Sequence, residues 1–260
     1  MTSGGAVVPI PAGPSRAGTW LSGYRAMLRW EIVGSRLLYP LLVISQVLVG
    51  AGFVIGFGLL IPELDPVAAL RLSTGAVVMS LILVGLVVTP QLVAQQKMQG
   101  SYDYVWSMPV PRSAAVLAST TLAAAVAVPG VVVGLLVATW RYDVTFSIDL
   151  TVIPAFLLTV ACGSFIGSAV GHAVERPQRT LLFTQLSIFF VIGFSPISFP
   201  VERLPQWLSS IHGYLPVHHM ALAVNSSLTR VEPEPTTWLV LVIWTVASAS
   251  VTALALMRRR

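Results

Sequence analysis

The sequence predicts an all-α membrane protein with six spans, an N-terminal interfacial helix, a short cytoplasmic helix between spans two and three, and a non-spanning segment that re-enters or lies on the outer side. Three observations lead there. Of 260 residues, 55% are apolar and only 10% are charged, against about 25% charged in ordinary soluble domains. The mean hydropathy is +0.83. The apolar residues fall in runs of about 20, the length a helix needs to cross the hydrocarbon core. Too little charge is left to coat a soluble globule, which disfavours a soluble enzyme, a disordered chain and a collagen-like repeat. A net charge of +5 and a pI near 9.9 would suggest nucleic acid in a soluble protein. Here the positions of the charges give them another meaning, and no nucleic-acid partner is expected.

Residues 1–18 are rich in Gly, Pro, Ser and Ala and hold Arg16 as their one basic side chain. Without an apolar h-region they read as a short disordered cytoplasmic tail rather than a signal peptide. Residues 19–36 have helical periodicity. Arg25, Arg29 and Arg36 share a narrow stripe, and Trp20, Tyr24, Met27, Leu28 and Trp30 lie on the broad opposite face. That is the layout of a helix lying in the membrane interface, with aromatics inward and Arg toward headgroups and water. Glu31 falls in the middle of the apolar arc, where it either snorkels or meets a nearby cation, or contacts a partner subunit.

The transmembrane body is expected over 37–260. Its apolar runs are Leu37 to Ile61, Leu72 to Val93, Ser113 to Trp140, Leu150 to Val174, Thr180 to Ile197 and Trp238 to Met257. Pro129 inside the third predicts a kink. The fourth carries Ala161, Gly163, Ser164, Gly167, Ser168 and Gly171, small residues that let helices approach closely in lipid. With six spans both termini share a side. Placing that side in the cytoplasm puts 11 basic residues inside and 4 outside, a net of +8 against −3 that totals the formal +5. The positive-inside rule therefore predicts N-in, C-in in a cell membrane, as in a bacterial inner membrane.

Scarcity limits the chemistry. Cys162 is the only cysteine, so no intrachain disulfide forms, and its apolar setting predicts a buried, inert thiol. Lys97 is the only lysine and follows Gln95-Gln96 with no glycine before it, so the chain has no phosphate-binding P-loop. No span has Asp, Glu, Lys or Arg at its centre, which argues against proton- or sodium-driven transport. His212, His218 and His219 lie close in sequence, but no acid or cysteine completes a metal set. His172 and Glu175 read as a polar helix end, with a proton relay as the other reading. Gln46, Gln185, Phe189 and Phe190 are candidates for lining a path through the membrane. Asn225-Ser226-Ser227 fits a glycosylation sequon.

Two segments do not follow span-loop-span logic. Gln95 to Arg112 reads QQKMQGSYDYVWSMPVPR. Met98, Tyr102 and Val105 recur at i, i+4 and i+7, predicting one short helix over about 95–109 ended by Pro109 and Pro111. Ser195 to Pro216 reads SPISFPVERLPQWLSSIHGYLP, with Leu204, Trp207, Leu208 and Ile211 on one helical face between prolines. It is too short to span.

These two segments resemble signatures of the type-2 ABC exporter permeases. In the first, Gly100, Ser101, Asp103 and Val105 take the places of Gly, Thr, Glu and Leu. Pro109-Val110 and Arg112 match the closing Pro-Val and Arg. Two positions depart from the pattern: Gln96 and Lys97 stand where an upstream Glu is usual, and Pro111 where Ser or Thr is. In the second, Ser195, Phe199, Pro200, Leu204, Pro205, Trp207, Leu208 and Pro216 follow the family's outer hairpin. The resemblance implies an ATPase-coupling helix built from Gly100, Ser101, Tyr102, Asp103, Val105, Pro109 and Arg112, an interface helix with Arg25, Arg29 and Glu31, and a gate at Phe199, Pro200, Leu204, Pro205 and Trp207. It implies a transport subunit, with no cofactor of its own, that pairs with a second permease chain in the bilayer. ATP and Mg would sit on a separate ATP-binding subunit, and the cargo would be an apolar or amphiphilic drug, antibiotic or lipid. The alternative is a non-transporting membrane scaffold that recruits a cytoplasmic partner through the same helix.

Overall fold

The computed structural model describes residues 16–34, 36–60, 65–194, 213–229, 231 and 234–257. Among them there is no strand. The helices are α1 (Arg16–Gly34), α2 (Leu38–Leu60), α3 (Pro66–Leu83), α4 (Thr89–Met98), α5 (Ser101–Ser107), α6 (Arg112–Tyr142), α7 (Val152–Ala173), α8 (Pro177–Phe194), α9 (Pro216–Thr229) and α10 (Pro235–Met257). A π-helical turn, Val84–Val88, joins α3 to α4 without a break.

Five helices among the described residues are long and apolar enough to cross a membrane: α2, the continuous α3–α4 unit, α6, α7 and α10. The run at Thr180 to Ile197 forms α8, whose first turn is the polar Pro177-Gln178-Arg179-Thr180, and its last residues lie outside the described set. The second predicted span begins earlier than its apolar run. Asp65 caps the helix by accepting the Ala68 amide at 2.6 Å, and Pro66 supplies the fixed φ of a first helical residue.

The α3–α4 unit is the axis of the bundle. It runs 33 residues from Pro66 to Met98, and 78% of its most apolar window is buried, against 17% for α2 and 22% for α10. The widened turn at its middle has a local cause. Pro90 has no amide to donate back to Leu86, and its ring would press on that carbonyl in a regular helix. A π turn makes room, and the Thr89 hydroxyl donates to the Val84 carbonyl at 3.1 Å.

Small residues seat α7 on this axis, as their spacing predicts. A Cβ on Gly85 would lie 2.5 Å from the Gly163 carbonyl carbon and 2.7 Å from the Ser164 nitrogen, so backbone rests on backbone. A second close approach joins α2 to α6. A Cβ on Gly130 would meet the Gln46 carbonyl oxygen at 2.5 Å. Pro129, next to it, lies inside α6, and the helix runs on through it to Tyr142. Cys162 is buried, as expected.

Helix α9 has no counterpart among the elements that the sequence predicts. At 14 residues it is too short to span, and it packs on α3, α7 and α10 with His219, Met220, Ala223 and Val224 buried. Its Asn225 amide donates to the Thr74 hydroxyl at 2.9 Å, and Ser227 is buried. The sequon therefore lies inside the packing, not on an open loop. His219 faces the Gly213 carbonyl at 2.9 Å, and among the described residues no group of three metal-ligating side chains comes together.

Candidate functional site: a short helix clasped at one end of the bundle

The segment predicted as one helix over 95–109 is two. The axis helix α4 runs to Met98. Gly100 then takes φ 73, ψ 3, in the left-handed region open to glycine, with no atom within 4 Å of where a Cβ would stand. The chain turns and restarts as α5. The i, i+4, i+7 pattern therefore does not share one face. Met98 is 54% exposed, whereas Tyr102 and Val105 are buried. The pattern holds only within α5 because a single left-handed residue rotates everything before it.

Four elements hold α5. The Tyr102 hydroxyl is 2.9 Å from His172 Nδ1 at the end of α7. The Trp106 ring meets the His172 ring edge-on, with centroids 5.0 Å apart. Lys97 Nζ lies 5.0 Å from the Tyr102 ring and donates to the carbonyls of Gly171 and Val174 at 2.5 and 2.6 Å. Those are carbonyls that the end of α7 leaves without helical partners, and a cation there also suits the helix dipole. Val105 packs with Met27 of α1 and with Ala115 and Ala118 of α6. The outward face of α5 carries Asp103 and Tyr104, both exposed. Ser101 is partly buried, its hydroxyl 3.4 Å from the Gln96 carbonyl.

Beyond α5 the chain extends through Met108 and Pro109, and Pro111 precedes the first residue of α6, Arg112. The Arg112 guanidinium donates to the Leu256 carbonyl, tying the start of α6 to the end of α10. The segment leaves the axis helix and re-enters the bundle within fifteen residues, Met98 to Arg112.

Helix α1 packs its aromatic face on the bundle. Trp20 donates to the Ser113 hydroxyl and Tyr24 to the Thr121 hydroxyl, each at 3.0 Å, while Arg25 and Arg29 are exposed. Trp30 differs. It sits at the edge of the apolar arc, 42% exposed, and leans on Tyr104 with ring centroids 5.8 Å apart. Glu31 lines a cleft of about 130 Å³ together with Met27, Tyr39, Thr89, Gln95 and Trp106. Among the described residues no side chain pairs with its carboxylate. Burial pushes its pKa from 4.5 up to about 7. The nearby cation that the sequence allowed is not on this chain's described residues.

The four path candidates do not come together. Gln46 is buried on the α2–α6 seam, with its side-chain oxygen lacking a hydrogen-bond partner. Gln185, Phe189 and Phe190 are exposed on α8. The gate candidates Phe199, Pro200, Leu204, Pro205 and Trp207 lie outside the described residues. Sequence reasoning missed the roles of Lys97, Trp106 and His172 around Tyr102. The signal available was that the only lysine follows a span and a histidine ends another, which places two cation-capable groups at one end of the bundle.

The family profile described as ABC-2 family transporter protein matches residues 67–257. The chain belongs to the ABC-2 transporter family. That match covers the axis helix, α5 and all the later helices, and only α1 and α2 precede it. No curated protein matches the sequence. As an ABC-2 permease the chain is a multi-pass membrane transport subunit, not itself catalytic, of a family that works with an ATP-binding subunit. The clasped α5 thus belongs to the part of the molecule that the family defines.

Proposed function

We propose that this chain is the membrane half of an ATP-driven ABC exporter, with α5 as the element on which a separate ATP-binding subunit pushes. The frame is six spans, N-in and C-in, with α8 as the fifth span. Two permease chains pair in the bilayer, and two ATP-binding chains dock beneath them. The observation that carries the reading is the construction of α5. Its inner face is fixed to α1, α6 and the end of α7, and its outer face presents Asp103 and Tyr104 to a partner.

Such a helix transmits force. A push on Asp103 and Tyr104 moves Tyr102 and Trp106, which bear on His172, and moves Val105, which bears on α1 and α6. Because the axis helix and α7 meet at backbone contact, the end of the bundle shifts as a body rather than deforming locally. ATP-driven closure of the partner pair would draw the inner ends of the helices together and open the outer side at the 195–216 segment. The cargo is apolar or amphiphilic and leaves the cell.

The test is co-purification followed by ATPase assay. The chain is co-expressed with an ATP-binding subunit, and hydrolysis is measured for each alone and for the complex. The expected result is no hydrolysis by the permease, and stimulated hydrolysis by the complex that Asp103→Arg reduces. A complex that forms and exports equally well after Gly100→Val and Asp103→Arg overturns the coupling role and leaves the scaffold reading.

A further inference from the structure

The cleft around Glu31 has a composition that neither packing nor coupling requires. Its walls come from α1 with Glu31, α2 with Tyr39, the π turn, α4 with Thr89, Gln95 and Gln96, α5 with Val105 and Trp106, and α6 with the end of α7. At about 130 Å³ it holds a small headgroup rather than a whole drug-sized molecule. Among the described residues its one anionic side chain is Glu31, and none of them pairs with its carboxylate. The facing elements supply no opposing charge: α4 gives amides and a hydroxyl, α5 gives Val105 and Trp106, and α6 gives Ser119 among apolar residues. Tyr39 and His172 are the other titratable groups in the wall, and His172 Nδ1 is already engaged by Tyr102. Arg25 and Arg29 point away, exposed.

The geometry points to this cleft as a binding site for the ammonium headgroup of a free, single-chain cationic amphiphile. The Glu31 carboxylate supplies the counter-charge, glutamine carbonyl oxygens accept from N–H or polarised C–H groups, and the Trp106 and Tyr39 rings offer faces that attract a cation. The tail has somewhere to go. Leu38 and Leu42 of α2 line the cleft, and Leu41, their neighbour in the chain, is exposed on the apolar surface of α2. Burying an unpaired carboxylate is costly, and a bound cation relieves that cost.

The site deepens the exporter reading, and it rests on that reading only for the effect of occupancy on hydrolysis. Val105 and Trp106 reach the cleft from the inner face of α5. A headgroup there would bear on the helix that the ATP-binding subunit pushes, which links occupancy to hydrolysis.

The experiment is saturable binding of radiolabelled dodecyltrimethylammonium to the full-length chain in phosphatidylglycerol nanodiscs, without ATP or partner. The expected result is saturable binding that dodecyl sulfate does not displace, weakened about tenfold or more by Glu31→Gln and held within about threefold by Glu31→Asp. Ser119→Lys keeps Glu31 and places a cation in the cleft. It should weaken the cationic probe by a similar factor, which covers the case of a Glu31 variant that does not fold. A phosphatidylethanolamine headgroup carries a phosphate beside its ammonium, which the carboxylate repels, so discs of that lipid leave the affinity unchanged. Absence of saturable binding, equal binding by Glu31→Gln, or displacement by dodecyl sulfate overturns the site. Competition by phosphatidylethanolamine overturns the free amphiphile as occupant. Since ATPase coupling is read separately on the complex, failure of binding leaves the exporter reading standing, and failure of coupling leaves the site standing.

Discussion

Two contacts with helix α7 lie less than half a helix apart and are built in opposite ways. Midway along, α7 meets the π turn by backbone against backbone, at Gly85, Gly163 and Gly167. At its end, α7 meets α5 through side chains, Tyr102 and Trp106 around His172, and the Lys97 side chain of α4 holds its last carbonyls. The first contact has no slack, since no rotamer change can accommodate an added atom. The second is made of long side chains that can shift while keeping their partners. A transport subunit that receives a push at α5 needs both: a compliant joint where force enters and a rigid joint that carries it up the axis.

The rigid joint should break most completely. In Gly167→Leu the new Cβ would meet the Gly85 carbonyl oxygen and lie 2.7 Å from Pro90 Cδ. Neither neighbour can yield without moving the axis helix. The expected outcome is loss of a monodisperse peak in size-exclusion chromatography and failure to recover folded protein from membranes. Gly167→Ala should give the same effect in weaker form, because overpacking by even one carbon typically costs about 1–3 kcal/mol. A Gly167→Leu variant that purifies normally would show that the seam can open, and the contrast between the joints would fail.

The compliant joint should lose function before it loses folding. Tyr102→Phe removes one hydrogen bond to His172, a net contribution of about 1 kcal/mol, and keeps the ring. His172→Ala also removes the surface that Trp106 rests on. Both variants should purify with a melting temperature within a few degrees of wild type. The ATPase of the complex should lose stimulation by the permease, by about threefold for Tyr102→Phe and about tenfold for His172→Ala. Equal loss of folding and coupling would merge the two joints into one.

The sequence carries the spans and conceals both joints. Runs of apolar residues locate α2, α6, α7 and α10, because a bilayer imposes a length that composition alone can register. The small residues of α7 announce a close approach but not its partner, which is a turn widened by Pro90 on another helix. Gly100 matches a family position, yet its left-handed backbone is visible only in three dimensions, and it moves Met98 off the face of Tyr102 and Val105. Glu31 stands out in the sequence only as an acid within an apolar arc. What it faces depends on several other elements, and no local pattern encodes that. Helix α9 escapes because it is buried and too short for a span.

The Glu31 cleft lies on the inner face of the compliant joint and should make that joint sensitive to pH. Burial raises the carboxyl from 4.5 to about 7. A raised acid pKa means the folded chain holds its proton more tightly than the unfolded chain does. Stability therefore falls as pH rises from about 4.5 to about 7 and levels off above. The same ionisation favours a cation in the cleft, so ammonium binding should tighten over that window. Thermal melting across it should slope downward for wild type and lose that component in Glu31→Gln. His172, also in the wall, is present in both proteins, so the difference between their curves isolates Glu31. Parallel curves would place the carboxylate in contact with water rather than in the cleft.

The smallest expected effect tests the break at Gly100. If 95–109 were a single helix, Met98 would share a buried face with Tyr102 and Val105, and Met98→Ala would open a cavity costing about 2–5 kcal/mol. With the helix divided at a left-handed residue, Met98 is 54% exposed and its side chain contributes little to the joint. Met98→Ala should therefore change the melting temperature by no more than a surface substitution does, about 0.5 kcal/mol in stability, and leave ATPase stimulation intact. Val105→Ala, on the clasped face of α5 against Met27 and Ala118, should cost clearly more. The ratio of the two losses measures how far α5 stands apart from the axis helix it follows in the chain.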